Sequence, residues 1–320
     1  MQTVYIEKGT CAMSDKSEKK NHTLLKVIGT VAATGAAAYA GISAYVFREA
    51  FDLQHSSLYS GCGGTAFLTF TDSEKTEWYE HSAVEDAYID SFDGLKLHAL
   101  CMENHPDAHN WVLLLFGPGC YDHNLLDYLY ELDHAGYNVL AADPRGCGKS
   151  DGRYTTLGWS EHYDAVSWVN YLVNRDRDAK VALFGISIGG AAVMNAVGDY
   201  LPSNVICAIE EGGFNEIKDV LRLGITKAMK ADGKYVLPGL DLIIRQKLHF
   251  SINDISTARQ LKQACVPMLF VQGTPTEFVP ESMLFDNYYA CGGDKQLMTA
   301  ADVQEGYFDK IIAYLDRHFA

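Results

Sequence analysis

The stretch from Ala182 to Ala192 constrains the fold more than any other part of the chain. It begins as an apolar run typical of a buried strand, continues as Gly185-x-Ser187-x-Gly189, and ends in small residues suited to a helix. A sharp turn from strand to helix lifts a serine hydroxyl to the top of a sheet, where it can attack a carbonyl group. Side chains at the two glycine positions would collide with the neighbouring strand and helix. The motif therefore predicts Ser187 as a nucleophile.

Strand and helix patterns alternate around this motif. A segment that alternates around Asp93-Gly94 predicts a β-hairpin over 88–100. Apolar runs without alternation, which indicate strands buried on both faces, follow it. They lie at 111–116, 137–142, 181–184, 205–209, 268–272 and 296–298, with helical patterns at 124–135 and 157–174. The sequence predicts a mostly parallel sheet with helices on both sides.

The alternation of strand and helix patterns is interrupted between 214 and 254. Helical patterns at 217–230 and 240–247 predict an insertion there, which would form a lid over the top of the sheet. Its leucine, isoleucine and methionine residues suit a small acyl-type or apolar ligand. We place the folded domain at 88–320 and treat 48–87 as a linker.

The amino-terminal part contains a charge-free run from Val27 to Phe47, preceded by a cluster of lysines. About 20 apolar residues suffice to cross a bilayer, and the lysines favour a cytoplasmic amino end. We predict a polar tail over 1–23 and a transmembrane signal anchor over 24–47, with the lipid bilayer contacting 27–47. The protein would then be a single-pass membrane protein whose folded domain lies outside the cytoplasm. A signal peptide cleaved near residue 40 and a buried helix of a soluble protein are the alternatives.

Composition excludes several classes of function. With 320 residues and 48% hydrophobic residues the chain can bury a full core, and a net charge of −15 argues against nucleic acid as a partner. The cysteines and histidines show no spacing typical of a metal site, so no metal is expected. No nucleotide-binding loop, haem site or flavin motif appears, so no cofactor is expected either.

The motifs together resemble those of a known family. Besides the elbow at Gly185 to Gly190, the chain contains Ser91-Phe92-Asp93-Gly94-Leu95-Lys96-Leu97, Asp143-Pro144-Arg145-Gly146-x-Gly148-Lys149-Ser150 and Phe278-Val279-Pro280. In these motifs it resembles α/β-hydrolases of the prolyl-aminopeptidase and monoacylglycerol-lipase-like branch, especially bacterial members with an amino-terminal membrane anchor. The resemblance implies an eight-stranded, mostly parallel sheet with a helical lid, and serine hydrolase activity on an ester, acyl or peptide bond.

The chain departs from that family where the catalytic acid and base are expected. The loop that usually supplies the acid has Thr276 at the matching position, and Glu277 beside it and Glu211 after the preceding strand are the alternative acids. The position that best matches the catalytic histidine holds Val303. Only His249 and His318 follow Ser187 in the sequence, and neither stands where the family has its base.

The oxyanion hole is altered as well. The resemblance implies two backbone N–H donors, that of Ile188 and one in the loop after the third strand. That loop reads Phe116-Gly117-Pro118, and proline has no N–H, so Gly119 becomes the candidate second donor. Two functions therefore stay open: a serine hydrolase that uses an acid and a base from unusual positions, and a catalytically inactive pseudo-hydrolase that binds a ligand or regulates a partner.

Overall fold

A computed structural model describes residues 35–59, 68–118, 124–272 and 279–320. The helices there are α1 Gly35–Phe51, α2 Ser73–His81, α3 Leu125–His134, α4 Trp159–Arg175, α5 Ile188–Ala196, α6 Ile217–Met229, α7 Leu237–Leu248, α8 Thr257–Lys262, α9 Glu281–Ala290 and α10 Ala300–Phe319. The strands are β1 Val84–Asp90, β2 Lys96–Met102, β3 Asn110–Phe116, β4 Asn138–Ala142, β5 Lys180–Ile186, β6 Val205–Glu211, β7 Met268–Val271 and β8 Lys295–Met298.

These strands form one eight-stranded sheet in the order β1-β2-β4-β3-β5-β6-β7-β8. The hairpin β1–β2 and the pair β2–β4 are antiparallel, and every other neighbouring pair is parallel. The central strands are buried on both faces because helices cover both sides of the sheet. The predicted hairpin and mostly parallel sheet are confirmed, and β1 begins at Val84, inside the stretch expected to be a linker.

Apolar side chains fill three layers. One layer lies between the sheet and α4, α5 and α9, and a second lies between the sheet and α3 and α10. The third lies above the carboxyl ends of the strands, under the lid helices α6 and α7, and includes Ile188 and Phe214. Two side chains of α1, Phe47 and Phe51, complete this third layer.

Helix α1 contains the described part of the predicted membrane anchor. Residues 24–34 of that anchor and the predicted tail over 1–23 lie outside the described residues. Helix α1 is rich in alanine, which favours a helix, and it packs along α7. Among the helices that the structure describes, none combines the length and the apolar character that crossing a membrane requires. The anchor therefore stays a prediction.

Candidate active site

Ser187 occupies the turn between β5 and α5 with φ 58° and ψ −116°, a left-handed conformation that is unusual for a residue with a side chain. The surrounding glycines make this turn possible by close packing. A Cβ atom on Gly185 would lie 2.2 Å from the carbonyl oxygen of Gly189, and one on Gly189 would lie 1.8 Å from that of Leu115. Both distances are far shorter than van der Waals contact. Only glycine therefore fits at these two positions of the motif, as the sequence predicts. The structure therefore has the sharp turn from strand to helix that the motif predicts, with Ser187 at its apex.

The backbone beside the elbow can stabilise a negative charge. Ile188 is the first residue of α5, so its N–H has no acceptor within the helix. The chain after β3 passes directly over it, since a Cβ atom on Gly117 would lie 2.6 Å from Ile188 N. Pro118 follows with no N–H to offer, and Gly119 lies outside the described residues. Of the two N–H groups predicted as oxyanion donors, the structure therefore describes only that of Ile188.

Two described carboxyl groups lie next to this turn, that of Glu210, which faces α5, and that of Glu211. Glu211 ends β6 opposite Ile186, and its carbonyl oxygen accepts a hydrogen bond of 2.8 Å from Ser187 N. The Glu211 side chain is buried and accepts a hydrogen bond from the hydroxyl group of Tyr307. That hydroxyl also lies 3.0 Å from the hydroxyl oxygen of Tyr128. Burial and the nearby Glu211 carboxylate raise the pKa of Tyr307 well above its usual value. Tyr307 therefore keeps its proton and is the donor in the hydrogen bond to Glu211.

The other predicted acid lies outside the described part of the chain. Both Glu277 and Thr276 fall in the segment 273–278, after β7. The structure therefore brings Glu211 next to the elbow and leaves the position of Glu277 open.

The position expected for a catalytic histidine is part of a helix. Strand β8 ends at Met298, Thr299 caps α10, and Val303 lies in the first turn of that helix, where it packs on the apolar layer beneath. The Asp302 carboxylate accepts hydrogen bonds from the backbone N–H and the hydroxyl group of Thr299, which fixes the helix start. Tyr307 was not among the candidates from the sequence; it follows Val303 by four residues, just after Gly306, where the backbone leaves the helical conformation (φ 165°, ψ 83°).

The two histidines that follow Ser187 lie elsewhere. His249 is exposed at the carboxyl end of α7. His318 lies near the end of α10, next to Phe319, whose carbonyl oxygen accepts a hydrogen bond of 3.0 Å from Lys180 Nζ. Lys180 begins β5 and Ser187 follows the end of that strand. His318 therefore lies near the amino ends of the strands, and Ser187 lies at their carboxyl ends. Burial lowers the pKa of His318.

Two buried histidines, His98 and His162, contact carboxylates that lie away from Ser187. The His98 imidazole lies between two carboxylates, 2.6 Å from Asp143 Oδ2 and 2.9 Å from Asp86 Oδ1. His162 lies 3.4 Å from Asp199 Oδ2, beyond the far end of α5. His22 and His123 lie outside the described residues. Within the described residues no imidazole forms a hydrogen bond with Ser187 Oγ, and no cluster of histidine, cysteine or acidic side chains could hold a metal ion.

A small cavity lies behind the oxyanion loop, next to the first turn of α5. Pro118, Ile188 and Ala192 line its apolar side. Its polar side is the buried Arg145, whose guanidinium group donates hydrogen bonds to the carboxylates of Asp93 and Asp164. Burial raises the pKa of Asp164 to about 6 in spite of this pairing. The arginine of the Asp-Pro-Arg-Gly motif thus ties the β1–β2 hairpin to α4, which is a structural task.

The comparison with solved structures decides the fold. An esterase of Pyrococcus furiosus, Pf2001, aligns over 82% of this chain and 100% of its own with a TM-score of 0.61 at 17% identity. A puromycin-hydrolyzing peptidase of Mycobacterium tuberculosis aligns over 75% of this chain and 40% of its own with a TM-score of 0.55 at 16% identity. This chain has the α/β-hydrolase fold.

Sequence comparisons agree with that assignment. Residues 106–236 of this chain match the family model described as serine aminopeptidase, S33. The uncharacterized protein YqkD of Bacillus subtilis is 22% identical over 239 residues, which cover 74% of this chain and 75% of YqkD. The α/β hydrolase domain-containing protein WAV2 of Arabidopsis thaliana is 29% identical over 207 residues, which cover 61% of this chain and 63% of WAV2. This chain therefore spans slightly less than two thirds of WAV2.

Proposed function

We propose that this protein is a serine hydrolase that cleaves an ester or another acyl bond, with Ser187 as the nucleophile. The observation that carries the proposal is the backbone of Ser187. A residue with a side chain in such a conformation costs about 1–3 kcal/mol, and such strain concentrates at functional sites. The close packing of Gly185 and Gly189 holds the turn in this conformation. This geometry presents a hydroxyl group at the carboxyl edge of the sheet.

The remaining parts of the reaction follow from the neighbours of Ser187. As Ser187 Oγ attacks the carbonyl carbon, the negative charge that develops on the carbonyl oxygen accepts a hydrogen bond from Ile188 N–H. Gly119 N–H is our candidate for the second donor. The serine proton must leave during the attack, and we assign its acceptance to a carboxylate at this edge of the sheet. The bond to the leaving group then breaks as the same carboxyl group returns this proton to the departing alcohol or amine. A water molecule finally attacks the acyl-enzyme, which releases the acid and restores Ser187.

Glu211 is our candidate for that carboxylate, and Tyr307 is a positioning residue that holds it. The backbone contact between Ser187 and Glu211 and the hydrogen bond from Tyr307 support this assignment. Glu277 is the competing carboxylate. A carboxylate is a weaker base than the usual histidine, so turnover should be slow for a serine hydrolase.

The substrate and the location of the protein belong to the same proposal. The apolar layer under α6 and α7 supports a small substrate with an acyl or other apolar group. The lysines before the charge-free run support a single-pass protein with its folded domain outside the cytoplasm. No cofactor is required for the reaction we propose.

The experiment that tests the proposal is labelling of the full-length protein with a fluorophosphonate probe. We expect slow covalent labelling that is lost in the Ser187→Ala variant, because the probe reacts only with an activated serine. Glu211→Gln should slow labelling much more than Glu277→Gln. The reverse order would transfer the role to Glu277. A folded protein that is not labelled but binds apolar ligands would instead be a pseudo-hydrolase.

A further inference from the structure

The first turns of α1 lie at the surface of the molecule. Residues 37–41 are all exposed, although the Tyr39 ring lies partly against α7, and they are alanine, tyrosine and glycine only. The residues before them, 27–34, also carry no charge. A helix that is apolar all round is normally covered by protein or by lipid. We propose that this end of the molecule docks onto the surface of a lipid bilayer, together with the adjoining end of the lid.

Helix α1 is fixed to the lid, so the two cannot approach a membrane separately. The hydroxyl group of Tyr39 donates a hydrogen bond of 3.0 Å to the carbonyl oxygen of Tyr235 and accepts one of 3.0 Å from Gly239 N. Ser43 is buried so tightly against α7 that a Cβ atom on Gly239 would lie 2.4 Å from its Oγ. Further along, Phe47 lies under the lid. Bilayer contact at the start of α1 therefore brings the start of α7 to the same surface.

The start of α7 carries exposed apolar side chains at this place. Tyr235 and Leu242 are each 68% exposed, among the most exposed large apolar side chains of the described residues. Pro238 and Leu242 are four residues apart, so they share the outer face of α7. Tyrosine is enriched where a membrane meets water because its ring is apolar and its hydroxyl group is polar. We call Tyr39, Tyr235, Pro238 and Leu242 the docking face.

The charge of the lid fits an anionic surface. Residues 214–254 contain seven lysine or arginine residues and five acidic ones, whereas the whole chain has a net charge of −15. Lys234 lies over the ring of Tyr235, 5.0 Å from its centroid, and its Nζ lies 3.3 Å from Asp232 Oδ2, a surface ion pair that a lipid phosphate would have to replace. Asp241, one of the acidic residues of the lid, is buried and bound to Arg245. The lid therefore has a small excess of positive charge in an otherwise acidic protein.

A lid held at a bilayer meets compounds that reside in the bilayer. This step rests on the proposed hydrolase activity and deepens it, because the docking face and the apolar layer under the lid belong to the same helices. The substrate class that follows is an acyl ester carried by a membrane lipid.

A fluorescence experiment on the full-length protein tests the docking independently of catalysis. Tyr235→Trp and, as the matched control, Tyr200→Trp are reconstituted in vesicles of phosphatidylcholine and phosphatidylglycerol that contain lipids with a nitroxide at the headgroup. Tyr200 is 83% exposed and follows the end of α5 that lies away from the elbow. After subtraction of the wild-type signal, we expect quenching of the new tryptophan at 235 and none at 200. Equal quenching at the two positions would overturn the proposal, and cross-linking of position 235 to another copy of the chain would assign the face to a dimer.

Activity then tests the substrate class. The double variant Tyr235→Glu/Leu242→Glu should hydrolyse an acyl ester embedded in the same vesicles about tenfold more slowly, since its docking face no longer enters the interface. Its hydrolysis of a soluble short-chain ester should match the wild type. An equal loss on both substrates would contradict the inference about the substrate. If neither protein hydrolyses either ester, the proposed function fails while the quenching result still decides the docking.

Discussion

At the scale of single residues, two neighbouring carboxyl groups at the end of β6 have different surroundings. Successive side chains of a strand point to opposite faces, so Glu211 faces Tyr307 while Glu210 faces α5. Glu210 is completely buried, and one of its oxygens accepts a hydrogen bond of 2.9 Å from Gly213 N. Its other oxygen has no partner among the described residues. Burial raises the pKa of Glu210 from 4.5 to about 8, so this carboxyl group is protonated at neutral pH.

This pKa predicts a stability that depends on pH. Between pH 4.5 and about 8 the unfolded chain releases a proton that the folded Glu210 retains, so the free energy of unfolding falls as the pH rises. In Glu210→Gln that contribution disappears, and the amide oxygen can still accept the Gly213 N–H. Thermal unfolding at pH 5 to 8 should show a smaller decrease of Tm in this variant than in the wild type. Glu80→Gln, at an exposed position, is the control and should follow the wild type. Identical slopes for Glu210→Gln and the wild type would contradict the prediction.

At the scale of elements, the region around the start of α10 shows which features the sequence predicts and which it does not. The strands and the elbow are local patterns, so their positions and the reason for the glycines followed from the sequence. The hydrogen bond between Tyr307 and Glu211 joins residues 96 positions apart, and no periodicity reports such a pair. One signal was readable, because Thr299 and Asp302 have the spacing of a capping box and predict that a helix begins where a histidine loop was expected.

The pair of Tyr307 and Glu211 gives a prediction for catalysis. A hydrogen bond to a carboxylate stabilises its charged form, so Tyr307→Phe should raise the pKa of the Glu211 carboxyl group. The acidic limb of the pH profile of kcat/KM should then move to higher pH, and kcat for an ester should fall about tenfold while KM stays unchanged. Tyr128→Phe is the matched control. It removes the hydroxyl group that lies next to the Tyr307 hydroxyl group, and its effect should be smaller. If both variants lower kcat without moving the profile, Tyr307 has only a structural role.

At the scale of the whole molecule, the lid, the elbow and α1 share one apolar layer. Ile188, which follows the nucleophile, packs in this layer with side chains of α6 and α7 and with Phe47 and Phe51. The two phenylalanine rings stack with their centroids 5.3 Å apart. The carbonyl oxygen of Phe51 also accepts a hydrogen bond of 3.0 Å from Thr155 N, just before α4. A segment expected to lie in or near a membrane is therefore a part of the folded domain that supports the lid.

Removal of the Phe51 side chain should loosen the lid before the sheet. Phe51 is completely buried, and truncation of a buried phenylalanine to alanine costs about 3–5 kcal/mol. In Phe51→Ala we expect a lower Tm and faster cleavage by trypsin within 214–254, where lysine and arginine residues are frequent. Tyr45→Ala changes a 56% exposed side chain of the same helix and should leave both unchanged. If Phe51→Ala lowers Tm but the first cuts fall between the strands, α1 supports the sheet rather than the lid. Cuts confined to the lid would mean that α1 holds the lid in position. Contact of α1 with a bilayer would then also affect the lid over the candidate active site.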